Sequence, residues 1–162
     1  SGHGQNTIAL SHHFYKVYGV EPSTKMLKFS RKLKKKSERW YNLSGLRFYK
    51  GDFEKIPIKQ VNIICLFNSI HFSSRVIQDL SNILSNICKN GLLVISEPHN
   101  KSIFGSKKLM DDKKALKQKL KILKRVRQKI KIFLKDCQKN KKASIIKEEE
   151  TERRYFVIIQ KK

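Results

Sequence analysis

Glycines and an acid near the start of the chain carry the first chemistry legible in the sequence. Gly2 and Gly4 form a glycine-rich turn, Ser1-Gly-His-Gly-Gln, ahead of a short helical pattern over residues 5–14. Glycines before a helix let the backbone approach a ligand closely, and the free N–H groups at the helix start receive its polar end. An apolar strand, Val17-Tyr18-Gly19-Val20, follows and ends in Glu21. An acid about 20 positions after such a turn, at the tip of the next strand, is placed to accept both hydroxyls of a ribose. This is half of a nucleoside-binding site. The other half is expected just before Ser1, and the sequence does not contain it.

Other residues could do different chemistry. His71 lies in a loop after an apolar run, and an imidazole can act as a base near neutral pH. His99 follows the next strand, whereas His12 and His13 read as helix surface. Cys65, Cys88 and Cys137 are odd in number, far apart and without a C-x-x-C pair. That pattern fits reduced thiols in a cytoplasmic or nuclear compartment better than a disulfide framework or a zinc site. Cys65 lies within an apolar strand and reads as core.

The elements that must position these residues follow from pattern. Pro22-Ser23 predicts a turn with a helix N-cap, and a helix over residues 24–40 with Met26, Phe29, Ser30 and Leu33 on its core side. Lys25, Lys28, Arg31, Lys32, Lys34, Lys35 and Lys36 make its other face strongly basic, with Trp40 and Tyr41 packing beneath it rather than stacking on bases. Leu46–Tyr49 is a short strand. Val61–Phe67 is an apolar run expected of a strand buried on both faces. A helix over residues 74–88 is expected to close at Lys89-Asn90-Gly91, and Leu92–Ser96 is the next strand. This alternation argues for a parallel sheet with helices on both sides.

A long helical stretch over residues 107–138 comes next. Its apolar stripe is Leu109, Leu116, Leu120, Leu123, Val126, Ile130, Leu134 and Cys137. Two strands, Ala143–Ile146 and Tyr155–Ile159, end the chain with the polar segment 148–154 between them. So short a link favours an antiparallel hairpin. No linker divides the chain, so residues 1–162 read as one domain. No apolar run reaches the ~18–20 residues that span a bilayer. The net charge is +24, a field that attracts RNA or another polyanion. Lysine-rich compositional drift is the alternative source of that excess.

The ordered motifs resemble those of the class I S-adenosylmethionine-dependent methyltransferases over nearly the whole chain. Ser1-Gly-His-Gly-Gln is similar to the tail of that family's first motif, and Gly19-Val-Glu-Pro-Ser with Met26-Leu27 to its second. Gly51-Asp52-Phe53-Glu54-Lys-Ile-Pro resembles the segment after strand three. Cys65-Leu-Phe-Asn-Ser-Ile-His71 resembles the loop after strand four, and Lys89-Asn-Gly91-Leu-Leu-Val-Ile the turn into strand five. The hairpin resembles strands six and seven.

The resemblance implies an α/β, Rossmann-like methyltransferase fold: a mostly parallel sheet, a C-terminal antiparallel hairpin and a missing first strand. That strand lies centrally in the family, so without it two strands would face a gap with unpaired backbone groups. Asn62 stands where many relatives carry an acid. The implied cofactor is S-adenosyl-L-methionine, with Gly2 and Gly4 on its methionine part, Glu21 on the ribose and Asp52 on the adenine amino group. Asp52 is otherwise a cap on the turn before Pro57. Phe53 is either core or an adenine-stacking face, and Asn68 lies beside the methyl donor.

His71 is the candidate catalytic base, and otherwise lines the pocket, since methyl transfer from a sulfonium depends chiefly on alignment. The implied activity is methyl transfer to an unidentified, small-molecule acceptor. The alternatives are an RNA methyltransferase, a non-catalytic relative that binds nucleic acid through its basic helices, and an inactive remnant.

Overall fold

The computed structural model describes residues 1–99 and 113–162, which form two compact units, Ser1–Pro57 and Ile58–Lys162. The first contains α1 (Gln5–Ser11), β1 (Val17–Glu21), α2 (Thr24–Ser37) and β2 (Leu46–Lys50). Its strands are parallel, in register from Val17 opposite Leu46 to Glu21 opposite Lys50. Alternate side chains of a strand share a face. Val17, Leu46 and Phe48 are therefore buried together and pack with Ile8 of α1, Leu27 of α2 and Leu43. Gly19 sits on the same face, where a Cβ would lie 2.4 Å from the Phe48 ring.

Ser23 caps α2 as expected, its hydroxyl accepting from the Met26 N–H at 3.3 Å. The buried side of α2 is turned from the expected one. Leu27 and Ser30 are buried, Met26 and Leu33 are half-buried, and Phe29 is exposed. The helix also stops at Ser37 rather than near Trp40. The N–H groups of Trp40 and Tyr41 both donate to the Ser37 carbonyl, and this turn takes the two aromatics off the helical periodicity. Trp40 and Tyr41 are exposed, not packed beneath the basic face. α1 likewise ends at Ser11, three residues early, in a turn that leaves His12 and His13 on the surface.

The second unit contains β3 (Val61–Phe67), a 3₁₀ turn (Ile70–Phe72), α3 (Val76–Ser85), β4 (Ile87–Pro98), α4 (Lys113–Lys139), β5 (Ala143–Glu150) and β6 (Arg154–Lys161). The sheet order is β3-β4-β6-β5. β3 and β4 are parallel, whereas β6 runs antiparallel to both β4 and β5. The fold is α/β with a mixed sheet, closed by the expected hairpin. Its polar link is shorter than the sequence suggested, because Glu148–Glu150 continue β5 opposite Val157–Tyr155.

Leu93 and Ile95 of β4 stand opposite Ile159 and Val157 of β6, and all four are fully buried. Leu123, Val126, Ile130, Leu134 and Cys137 form the buried stripe of α4 at three-and-four spacing. Leu116 and Leu120 are half-buried. Lys107 and Leu109 lie outside the described residues.

Two expectations are corrected around β3 and β4. The Lys89-Asn90-Gly91 segment does not stop a helix: α3 ends at Ser85, and Ile87 already pairs with Val61. Ile87 is fully buried, and it continues the Ile83–Leu84 spacing, so its position suits a helix or a strand equally. Residues 88–91 instead bulge from the ladder, with Asn90 at φ 64. β3 is also not buried on both faces. Among the described residues it pairs only with β4, and Leu66 alone is fully buried while Ile63, Ile64 and Cys65 are half-buried. No helix among the described residues is long and apolar enough to cross a membrane.

A Cβ on Gly91 would lie 2.4 Å from Ile87 Cγ2 and 2.7 Å from the Asn62 carbonyl. Gly91→Ala is therefore expected to lower unfolding stability by about 1–3 kcal/mol, the usual cost of overpacking. Urea denaturation measures this, and an unchanged midpoint contradicts the bulge geometry.

Candidate functional site

Glu21 ends β1 and is 8% exposed. Burying a charge is costly unless donors meet it. Oε2 accepts from the Gly2 N–H at 2.7 Å, and Oε1 from the Ser23 N–H at 3.0 Å. The backbone nitrogen of Ser1 also lies 3.3 Å from Oε2. Burial pushes the Glu21 carboxyl up, but the Ser23 and Gly2 hydrogen bonds, with the Ser1 nitrogen, outweigh it and hold the group below its ordinary value.

The glycine turn is fixed from below. Gly4 has φ 84 and Gly2 has φ 54, a conformation in which side chains are strained. A Cβ on Gly4 would lie 2.8 Å from Phe48 Cζ and 3.0 Å from Ser30 Cβ. Buried Ser30 places its hydroxyl 2.8 Å from the Gly2 carbonyl and 2.9 Å from that of Met26. Above Gly2 the space is open: a Cβ there meets nothing within 4 Å. α1 has only seven residues, so the helix start is not the anion receptor expected of a longer helix. The site rests on the turn and on Glu21.

The segment after β2 adjoins it. The Gly51 N–H donates to the Glu21 carbonyl at 3.4 Å. Asp52 is exposed and does cap its turn, with Oδ1 accepting from the Glu54 and Lys55 N–H groups at 2.9 and 2.8 Å. Phe53 is half-buried. Gly2, Gly4, Glu21, Asp52 and Phe53 thus all belong to the first unit.

Asn68 and His71 belong to the second. Asn68 adopts φ 52, and its N–H donates to the Ser96 carbonyl at 2.8 Å. His71 is joined to a residue not singled out from the sequence, Glu97 at the end of β4. Glu97 is 1% exposed. Its Oε1 accepts from the Ser69 and Ile70 N–H groups at 2.8 and 2.9 Å, and its Oε2 lies 2.5 Å from His71 Nδ1. An ionised carboxylate only accepts, so Nδ1 carries the proton, and Nε2 is the nitrogen that can accept when the ring is neutral. The signal for Glu97 was an acid ending one parallel strand beside a histidine loop after its neighbour. His99 Nε2 instead meets Glu150 at 3.0 Å.

The three cysteines are free thiols. Cys65 is partly buried, which pushes its thiol up to about 11 and keeps it protonated and unreactive at neutral pH. Among the described residues, no group of three or more His, Cys, Asp and Glu side chains could hold a metal ion.

A nucleoside fits this donor set. Each carboxylate oxygen offers two lone-pair directions, so with Gly2 and Ser1 on Oε2 and Ser23 on Oε1, Glu21 keeps acceptor capacity at Oε1. The open space over Gly2 is where a side chain would intrude.

The Glu21 geometry has a pH signature. A carboxyl lowered in the folded state contributes stability above its unfolded value, near 4.5, and loses it as pH falls through the lower folded value. The stability difference between wild type and Glu21→Gln is expected to shrink between pH 6 and pH 3 in urea titrations. A constant difference contradicts the hydrogen-bonded carboxylate.

The fold and sequence have relatives. A protein of Methanococcus maripaludis described as an S-adenosyl-L-methionine-dependent methyltransferase superposes with a TM-score of 0.75 at 17% identity, covering 99% of this chain and 74% of that one. A SAM-dependent methyltransferase from Aquifex aeolicus gives 0.72 at 14% identity, covering 99% and 78%. Magnesium protoporphyrin IX methyltransferase from Synechocystis PCC 6803, with bound S-adenosylhomocysteine, gives 0.68 at 15% identity, covering 99% and 71%. No curated protein sequence matches the chain. The sequence model of the methyltransferase domain matches residues 1–95, more than half of the chain. The chain therefore belongs to the methyltransferase-domain family of class I, S-adenosylmethionine-dependent proteins.

Proposed function

We propose that this chain binds S-adenosylmethionine and transfers its methyl group to a small-molecule acceptor. The bound cofactor supplies an electrophilic methyl group on a sulfonium. Glu21 holds the ribose hydroxyls, with Oε1 open to them beyond Ser23 and Oε2 already met by Gly2 and Ser1. The turn at Gly2 and Gly4 admits the methionine part against bare backbone. Asp52 meets the adenine amino group with Oδ2, its Oδ1 being taken by the turn, and Phe53 borders the ring. Asn68 borders the methyl donor. His71 accepts a proton at Nε2 from an O–H or N–H acceptor, with Glu97 holding the ring.

The observation that carries this reading is the buried Glu21 carboxylate at the strand tip, clamped by two backbone N–H groups. The small-molecule acceptor is supported by likeness to the Synechocystis enzyme, whose named substrate is magnesium protoporphyrin IX.

Calorimetric titration with S-adenosylhomocysteine tests the cofactor role. Saturable binding is expected, and Glu21→Ala is expected to weaken it roughly 5- to 150-fold, or about 1–3 kcal/mol, the cost of leaving buried polar groups unpaired. No binding by a folded wild-type chain contradicts the proposal.

A further inference from the structure

We infer that the first unit binds single-stranded nucleic acid along the outer side of α2 and β2, through a basic groove and a group of exposed aromatics. The groove has a volume of about 410 Å³ and is lined by Arg31, Lys34, Lys35, Glu38 and Arg47, with Leu46 and Phe48 of β2. These residues come from the second half of α2 and the first half of β2, away from the strand tips that carry Glu21 and Asp52. Glu38 is the groove's one carboxylate, and Lys34 already pairs with it at 3.2 Å. Among the described residues no carboxylate pairs with Arg31, Lys35 or Arg47. Arg31 is oriented by donating from Nη2 to the Phe48 carbonyl at 3.3 Å, which leaves its other guanidinium N–H groups to meet a ligand. An array of unneutralised cations in a groove is the complement of a phosphate backbone.

The aromatics make the surface more than a solvated lysine face. Trp40, two residues beyond Glu38, is 79% exposed, and Tyr15 is 89% exposed. Exposed Tyr41 stands edge-on to His12, with ring centroids 4.4 Å apart. The two loops adjoin: a Cβ on Gly45 would come within 1.9 Å of the Tyr15 carbonyl. Tyr15, Trp40 and Tyr41 thus lie exposed on adjoining loops at the end of the strands opposite Glu21.

Three large exposed aromatics on adjoining loops offer faces for a ligand to cover. Beside cations they form the stacking platform that holds unpaired bases with little regard to sequence. A duplex hides the base faces that such a platform needs. An anionic membrane would require an amphipathic helix with its apolar face free, and α2 has Leu27 and Ser30 buried in its own unit. The occupant is therefore a single strand.

Trp40 is the chain's one tryptophan, so it reports binding directly. The full chain is titrated with a fluorescein-labelled 15-nucleotide oligouridylate, following anisotropy and Trp40 emission across a salt series. Saturable binding with quenched Trp40 emission is expected. Lys35→Ala/Arg47→Ala, which spares the Arg31 contact, is expected to weaken binding roughly tenfold. It should also flatten the log–log salt slope by about 1.4, at ~0.7 per phosphate contact. Lys121→Ala/Lys124→Ala, on exposed positions of α4, removes equal charge and is expected to change affinity less than threefold. Thermal unfolding checks that the variants fold, and Trp40→Ala, at an exposed position, is expected to weaken binding at least fivefold. Equal losses from the two double variants reduce the effect to the general +24 field and overturn the inference. Unchanged Trp40 emission, equal affinity for a duplex, or preferential binding to phosphatidylserine vesicles does so too.

Discussion

A carboxylate removed from water must be met by donors, and in the first unit that requirement falls on Glu21. Its two oxygens draw on the Gly2 and Ser23 N–H groups, so one side chain ties together the glycine turn, the tip of β1 and the entrance to α2. Gly4 fits between Phe48 and Ser30 only without a side chain, and Ser30 reaches back to the Gly2 carbonyl. The turn is thus held on both sides by groups that leave the space over Gly2 open. The arrangement is set by backbone geometry around a single buried carboxylate.

The second unit uses the same device. Glu97 is more deeply buried than Glu21 and is met by two backbone N–H groups and an imidazole. Fixing the loop after β3 around this carboxylate also fixes which nitrogen of His71 can accept a proton. Sulfonium methyl transfer needs mainly alignment, so a base matters most where the acceptor arrives protonated. The basic groove of the first unit stands apart from the Glu21 clamp, since its residues lie at the opposite end of the same strands.

The features legible in the sequence are those that local chemistry dictates. Gly2, Gly4 and Glu21 stood out by spacing, Ser23 by its capping chemistry, and the hairpin by the shortness of its link. The misreadings arose where one pattern served two structures. Ile87 extends a helical spacing yet belongs to β4, because a buried isoleucine satisfies either element. The sequence reading packs Trp40 and Tyr41 beneath the basic helix, whereas α2 stops at Ser37 and leaves both exposed. Glu97 is hard to single out because its partners, Ser69, Ile70 and His71, are 26 to 28 residues away in sequence and meet it only when β3 and β4 pair. The buried face of α2 depended on which residues β1 and β2 present to it, and periodicity alone does not supply that.

The most direct test of the Glu21 clamp as a cofactor site is a residue-resolved titration of the isotopically labelled chain with S-adenosylhomocysteine, following amide resonances. Saturable shifts centred on Gly2, Gly4, Glu21 and Ser23, with the Asp52 segment joining them, are the predicted result. Saturable binding that leaves these amides unmoved, or no shifts at all from a well-folded chain, would contradict it.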